Sequence, residues 1–426
     1  MNEKYIILKD IQDNLLKQTP TNFKREIFNK IKWNDRIIWL IWERWVGKTT
    51  IMLQKLKENN KKNKGLIKNN TLDKKNNNGL NEENHKWFYF SADNIIVKNI
   101  WLFNLVYFLK KEQNIKNFYI DEIHRYNNWT DEIKNIYDSF PYIKIVFSWS
   151  SSLDLYKWIL DLARRVSFYK IHTLNYKEYL KFYQNTNIPD FSLDDILKNH
   201  KKIALEYGNI HKNTYFKDFI KKWQYPYLKE FDEDSYISKF QNLLDKIIIE
   251  DIPVFLNLQT TSLDKLRKLV YFIANSTPSE LSFTNLSKKI WVDKVIIENV
   301  MVLLNKIWIV SLIPKFWNLS ERVRKEYKIF LWNTNLYNAY NLNNKIWILR
   351  ECFFISQVKR IENIEIFTPK LWDFTLQIYD RVLHFEIWWK NKNTSKYKKE
   401  IYILKDDIII SDNDRIIPLW IFWLLK

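Results

Sequence analysis

Two short stretches of the chain hold residue types that could do phosphate chemistry. The first is Trp42-Glu43-Arg44-Trp45-Val46-Gly47-Lys48-Thr49-Thr50, which follows a short apolar run over residues 36–41. A loop of this kind, opening a helix, can turn its backbone N–H groups toward phosphate oxygens, and the helix dipole adds to the attraction. Lys48 would reach the β- and γ-phosphates, and the Thr49 hydroxyl would ligate Mg²⁺. The second stretch is Asn117-Phe118-Tyr119-Ile120-Asp121-Glu122-Ile123-His124, roughly 70 residues further on. An apolar strand that ends in adjacent carboxylates is costly unless a cation sits there. Asp121 would hold the Mg²⁺ shell, and Glu122 would orient or deprotonate an attacking water. The ligands implied are ATP and Mg²⁺.

Taken as printed, the loop departs from G-x-x-x-x-G-K-[ST] at its first position, where Trp42 stands, and Trp45 occupies a second bend where glycine is expected. The whole chain shares this oddity, with 4 glycines and 20 tryptophans, together 24, in 426 residues. Ordinary usage of roughly 7% would give about thirty glycines, and turns and helix ends need them for positive φ. Trp308 stands where a helix should end and a strand begin, and Trp388 and Trp389 follow Glu386-Ile387 as a pair. The sequence therefore suggests a source that reads UGA as glycine, translated with a table that reads it as tryptophan. Trp129, before a helical stretch, reads as a genuine aromatic anchor.

Further candidates follow. The strand expected over residues 142–147 runs into Ser148-Trp149-Ser150, where Ser148 or Ser150 could sense a γ-phosphate or merely cap a helix. Arg164-Arg165 come one helix later; Arg165 is the candidate arginine finger, though paired arginines also serve as plain solvated surface. Near the C-terminus, Asp373, Glu386 and Lys390 have the types of a Mg²⁺-dependent nuclease site, in which carboxylates bind metal and a lysine steadies hydroxide. Lys390 stands four residues after Glu386 rather than two, so it would need a bend at 388–389. A degenerate nuclease fold kept as scaffold is the alternative.

The elements that must position these groups give the fold class: α/β, with a parallel sheet flanked by helices. Residues 1–35 read as an N-terminal helical arm and 36–185 as the nucleotide-binding core. Residues 58–85, rich in Asn and Lys, read as an exposed, disordered insertion. Residues 186–260 form a helical connector. Residues 261–335 read as three helices and a strand pair, a winged-helix pattern, with Leu266, Leu269, Val270 and Phe272 on one apolar face. The second helix of its motif, 293–306, is largely apolar and poor in base-reading side chains, so a protein contact is as well favoured as DNA. Residues 336–426 read as a C-terminal α/β domain.

On these residues the chain resembles the prokaryotic predicted AAA+ ATPases, in which a P-loop core precedes a C-terminal domain of nuclease-like type. The matching stretches are the phosphate loop, Phe118 to His124, Lys144 to Ser152 followed by Leu162-Ala163-Arg164-Arg165, and Thr173 to Leu180. Further on are Tyr225-Pro226-Tyr227-Leu228-Lys229-Glu230, Asp251-Ile252-Pro253, Arg350-Glu351, and Glu386-Ile387 with Lys390. The resemblance implies ATP binding and hydrolysis that drives a C-terminal module, or a nucleotide-regulated switch with little turnover. An arginine finger acting in trans would imply self-association.

Composition narrows the class. The net charge of +19 suits a DNA partner, yet the richness in Lys, Asn and Ile also fits an AT-rich genome. A single cysteine, Cys352, excludes a disulfide framework and a Cys-type zinc site. No run approaches the roughly 18–20 apolar residues of a membrane span, and the first residues carry no signal-peptide pattern. The expectation is a cytoplasmic protein with no membrane partner.

Overall fold

The computed structural model describes residues 1–41, 45–70, 86–149, 162, 164–209, 213–221, 224–227, 231–251, 260–315, 326–340, 345–388, 401–422 and 424–425. The chain forms two compact units, Met1–His172 and Thr173–Lys426.

The first unit is built on a five-stranded sheet of order β2-β3-β4-β1-β5. Its strands are β1 (Ile37–Ile41), β2 (Lys86–Ser91), β3 (Ile115–Asp121), β4 (Lys144–Trp149) and β5 (Ser167–Lys170). Every pairing is parallel. Continuous apolar runs explain this arrangement: β1 is buried at all five positions and β3 at six of seven, as strands covered on both faces must be. The helices are α1 (Asn2–Gln18), α2 (Ile27–Lys30), α3 (Lys48–Asn70), α4 (Ile95–Lys98), α5 (Leu102–Gln113) and α6 (Trp129–Ser139). The result is a parallel sheet core, with α3 rising directly from the loop after β1.

Two local expectations change. The helix after the phosphate loop runs to Asn70, so the stretch expected to be disordered from residue 58 begins as helix. Lys and Glu are good helix formers, and an Asn- and Lys-rich composition alone did not stop propagation. Residues 71–85 lie outside the described residues. Strand β4 extends two residues beyond Phe147, which puts Ser148 inside the sheet rather than in a turn after it.

The edge strand β2 is covered by α1. Gln12, only 1% exposed, accepts the backbone N–H of Tyr89 at 2.8 Å. This bond satisfies a donor that an open sheet edge would leave unpaired.

In the second unit, helices α7 (Tyr176–Gln184), α8 (Leu193–Tyr207), α9 (Asn213–Lys221) and α10 (Glu233–Lys246) precede α11 (Thr260–Asn275), α12 (Phe283–Ile290) and α13 (Lys294–Lys306). Helix α7 belongs here rather than with the sheet of the first unit. Its Tyr176 and Tyr179 rings pack against Phe219 at 5.4 and 5.1 Å, and Leu174 N–H donates to Gln224 O. An antiparallel hairpin, β6 (Val310–Pro314) and β7 (Tyr327–Leu331), follows α13. On α11 the buried face is Leu266, Leu269, Val270 and Ile273; Phe272, expected on that face, is half-exposed.

After α14 (Thr334–Tyr340) and the almost wholly buried α15 (Ile346–Val358) comes a second five-stranded sheet. Its strands are β8 (Ile364–Phe367), β9 (Phe374–Ile378), β10 (Arg381–Trp388), β11 (Ile401–Lys405) and β12 (Ile416–Pro418), closed by α16 (Leu419–Phe422). Strands β8 to β10 pair antiparallel and β10 to β12 parallel.

Candidate functional site

The phosphate-loop stretch and the acidic strand end meet at the C-terminal edge of the first sheet. Trp42, Glu43 and Arg44 lie outside the described residues, as do Ser150 and Lys390. Trp45 and Gly47 have φ of 62° and 93°, and Gly47 O accepts from Ile51 N at 3.0 Å, opening α3. Val46 and Lys48 are buried, and Thr50 is half-buried on the first turn of the helix. The Val46 carbonyl accepts from Arg25 Nη1 at 2.7 Å, and Arg25 Nη2 reaches the His172 carbonyl at 2.7 Å. A buried arginine thus clamps the loop to the segment that follows β5.

Asp121 is the centre of the site. Thr49 Oγ1 donates to its Oδ2 at 2.6 Å, and Tyr89 OH donates to the same oxygen at 3.1 Å. Ser148 Oγ donates to Oδ1, and the Glu122 N–H lies 3.2 Å from Oδ1 and 3.0 Å from Ser148 Oγ. Burial raises the Asp121 carboxyl above its ordinary pKa, and the Glu122 charge adds to this. The hydrogen bonds from Ser148, Thr49 and Tyr89 oppose the rise. Burial also pushes the Tyr89 hydroxyl well up, with Asp121 adding to the effect, so Tyr89 stays a donor.

Glu122 holds a left-handed backbone, φ 52°, a conformation that costs an ordinary residue roughly 1–2 kcal/mol. Its side chain turns out of the sheet, partly exposed, with Oε2 3.4 Å from His124 Nε2. The His124 ring stacks on Trp149 with centroids 5.8 Å apart.

Arg165 goes elsewhere. Its Nη2 is 3.5 Å from Asp138 Oδ1, and its guanidinium sits 5.6 Å from the Tyr137 ring. Strands β1 and β5 run parallel with Ile38 opposite Ser167 and Ile41 opposite Lys170. Arg165 therefore precedes the end of β5 that lies beside the start of β1, whereas the phosphate loop leaves where β1 finishes. Strand rise of about 3.3 Å per residue separates those edges by roughly 15 Å. The expected finger lies away from the phosphate-loop end of its own chain's sheet.

Among the described residues, three tryptophans occupy left-handed backbone: Trp45, Trp291 and Trp308, at φ 62°, 56° and 59°. Trp291 ends α12, where its own N–H and that of Val292 return to Ser287 O. Trp308 follows α13, where Ile309 N returns to Leu304 O. Helix ends of this type ordinarily carry glycine. Trp39 and Trp149 stack at 5.2 Å inside the sheet core, with both indole N–H groups buried and without hydrogen-bond partners among the described residues. Trp129 opens α6 as expected and packs edge-on against Trp39 at 5.6 Å.

In the second unit, Asp373 and Glu386 are brought together. Asp373 N donates to Glu386 Oε2 at 2.9 Å, and Ile387 N donates to Asp373 Oδ2 at 2.8 Å. Glu351 joins them electrostatically and pairs with Lys328 at 2.8 Å. Burial, then the Glu351 and Glu386 charges, push Asp373 up to about 7. The cluster borders a cleft of about 550 Å³ whose walls include Lys328, Trp372, Asp373 and Glu386. Among the described residues no group of three or more His, Cys, Asp or Glu side chains is arranged to hold a metal ion.

Sequence reasoning missed Tyr89, Arg25, Glu351 and Lys328 as site residues. Tyr89 lies in a strand whose pattern reads only as core, and Arg25 lies in an arm with no motif.

Residues 34–180 match the AAA domain family AAA_14, and residues 224–346 match a domain of unknown function, DUF8612. Uncharacterized protein MJ1637 of Methanocaldococcus jannaschii is 28% identical over 262 residues, 59% of this chain. The chain spans 54% of that protein's length. Among solved structures, the AMPPCP-bound DnaA of Aquifex aeolicus aligns at TM-score 0.25 and 13% identity, covering 70% of this chain and 88% of DnaA. The Hsp104–ADP complex of S. cerevisiae aligns at 0.29 and 11%, covering 69% and 41%. Scores of this size carry no argument about function. No helix among the described residues is long and apolar enough to cross a membrane.

Proposed function

We propose that the first unit binds ATP with Mg²⁺ and hydrolyses it at Lys48, Thr49, Asp121 and Glu122. The observation that carries this reading is the 2.6 Å bond from Thr49 Oγ1 to Asp121 Oδ2. It joins the first turn of the loop helix to the acidic end of a second strand. A hydroxyl and a carboxylate oxygen are the hard donors that Mg²⁺ takes, so the residues fit the ion. Bound there, Mg²⁺ would neutralise charge on the phosphates. Lys48 would hold phosphate oxygens, the loop N–H groups would cradle them, and Glu122 would orient the attacking water and take its proton. Ser148 touches both Asp121 and the Glu122 backbone, which suits a sensor of the γ-phosphate. Phosphate release that Glu122→Gln abolishes supports the reading. Tight ATP binding without release favours the alternative, a nucleotide-regulated switch.

The working protein, in this proposal, carries glycine at positions 45, 291 and 308 and at further printed tryptophans. Support comes from their left-handed φ and from helix-end hydrogen bonding that normally selects glycine. The unpartnered buried N–H groups of Trp39 and Trp149 add to it, since an orphaned buried donor costs about 1–3 kcal/mol.

Arg165, on the far edge of the sheet, could reach a nucleotide only on a neighbouring copy, so any finger role requires self-association. The three helices and hairpin of 260–331 fit a winged-helix reading, but DNA is not part of this proposal. The outward residues of α13 mix Val295, Ile296 and Val302 with Lys294, Asn299 and Lys306, a face that does not single out nucleic acid. Nuclease action at Asp373 and Glu386 is likewise not proposed, because Lys390, the third member of that constellation, lies outside the described residues.

A further inference from the structure

Among the groups around Asp121, Ser148 and Tyr89 come from outside the two motifs, and Tyr89 has no role in the reading above. Tyr89 sits on edge strand β2, opposite Tyr119 of β3 in the parallel register. It is 4% exposed, and its hydroxyl donates to Asp121 Oδ2 at 3.1 Å. That oxygen is the one Thr49 also meets. Oδ2 is therefore held from two directions, by the loop helix and by the edge strand, while Ser148 and the Glu122 N–H hold Oδ1.

The backbone of Tyr89 is fixed as well. Its N–H donates to Gln12 of α1 at 2.8 Å, and its neighbours pair with β3 from Trp87 to Ser91. A side chain so anchored has little freedom to follow Asp121 if the carboxylate turns. Instead it restrains the carboxylate.

We infer that Tyr89 is a positioning residue for the divalent cation: its hydroxyl sets the orientation of Asp121 and thereby the affinity of the site for Mg²⁺ with nucleotide. The inference rests on the ATP-site reading above. It names a role that neither motif assigns. The physical basis is that groups hydrogen-bonded to a metal-binding carboxylate fix its direction, and losing one typically weakens metal affinity about 10–100-fold.

The test compares wild type with Tyr89→Phe, which keeps the ring and removes only the hydroxyl. A fluorescent ATP analogue is titrated in EDTA, and then at rising Mn²⁺, with bound Mn²⁺ read by electron paramagnetic resonance. The expected result is unchanged analogue affinity in EDTA and a Mn²⁺ requirement raised about tenfold or more. Thr49→Val should raise it at least as far. An unchanged Mn²⁺ requirement in Tyr89→Phe overturns the inference while leaving the ATP site intact. Weaker analogue binding in EDTA also overturns it, because the hydroxyl would then be holding the loop rather than the cation. Wild type that binds no analogue under either condition overturns the ATP-site reading itself, and this inference with it.

Discussion

The strain at Trp45 can be turned into an affinity change. Around it the loop is framed: Arg25 holds the Val46 carbonyl, and Gly47 accepts from Ile51. Gly47 takes φ 93° with open space around the position a Cβ would fill, so it bears no strain. Trp45 at φ 62° does, and a left-handed residue with a side chain costs roughly 1–2 kcal/mol. That energy favours any loop conformation that abandons the phosphate-binding one. Since about 1.4 kcal/mol is a factor of ten, Trp45→Gly in the printed sequence should tighten MgATP binding about tenfold. The assay is equilibrium titration with a fluorescent ATP analogue, with Trp347→Gly as control. Trp347 lies in α15 of the second unit, where glycine relieves no left-handed residue and costs about 1 kcal/mol of helix stability. Equal affinity for Trp45→Gly and the printed protein would refute the reasoning.

Other outcomes follow from the same geometry. Peptide masses of the protein from its own source should show glycine at 45, 291 and 308, and tryptophan at all three would end the recoding proposal. Asp373 gives a pH signature. Its folded pKa stands near 7 against 3.8 for an ordinary aspartate, so the folded state binds the proton more tightly. Stability of the second unit is then greatest below the lower value, falls as pH rises through about 7, and is level above it. Asp373→Asn should remove most of that fall in urea titrations between pH 5 and 8. A fall of the same size in the variant would assign the effect to other groups.

How much of this could be read from the sequence depends on what each feature required. Strands β1 and β3 announce themselves by unbroken apolar runs, and the residues after them by types that suit a phosphate or a cation. The meeting of Thr49 and Asp121 follows once both strands are placed in one parallel sheet. Trp308 was legible because a helix must stop before a strand can start, and the structure places it between Lys306 and Val310. The position of Arg165 was not legible. Sequence separation from Ser148 says nothing about which end of the sheet a connection has returned to, and the register of β5 against β1 decides it. Tyr89 was hidden for a similar reason. Its phenol lies in a run of aromatic core residues, and only pairing with β3 shows that the hydroxyl reaches Asp121. The length of α3 escaped because composition signals disorder more readily than it signals a helix continuing from a packed first turn. The carboxylates near Asp373 were found by type, but Glu351 and Lys328 come from a helix and a hairpin distant in sequence.

The central claim is tested most directly by following ATP on protein carrying glycine at positions 42 and 45, with and without Glu122→Gln. Bound nucleotide and released phosphate are measured in the same samples with Mg²⁺ present. The account predicts that both proteins bind ATP and that Glu122→Gln lowers release at least about 100-fold, the usual contribution of a positioned base. Release unchanged by the substitution, or no ATP bound by either protein, would contradict it.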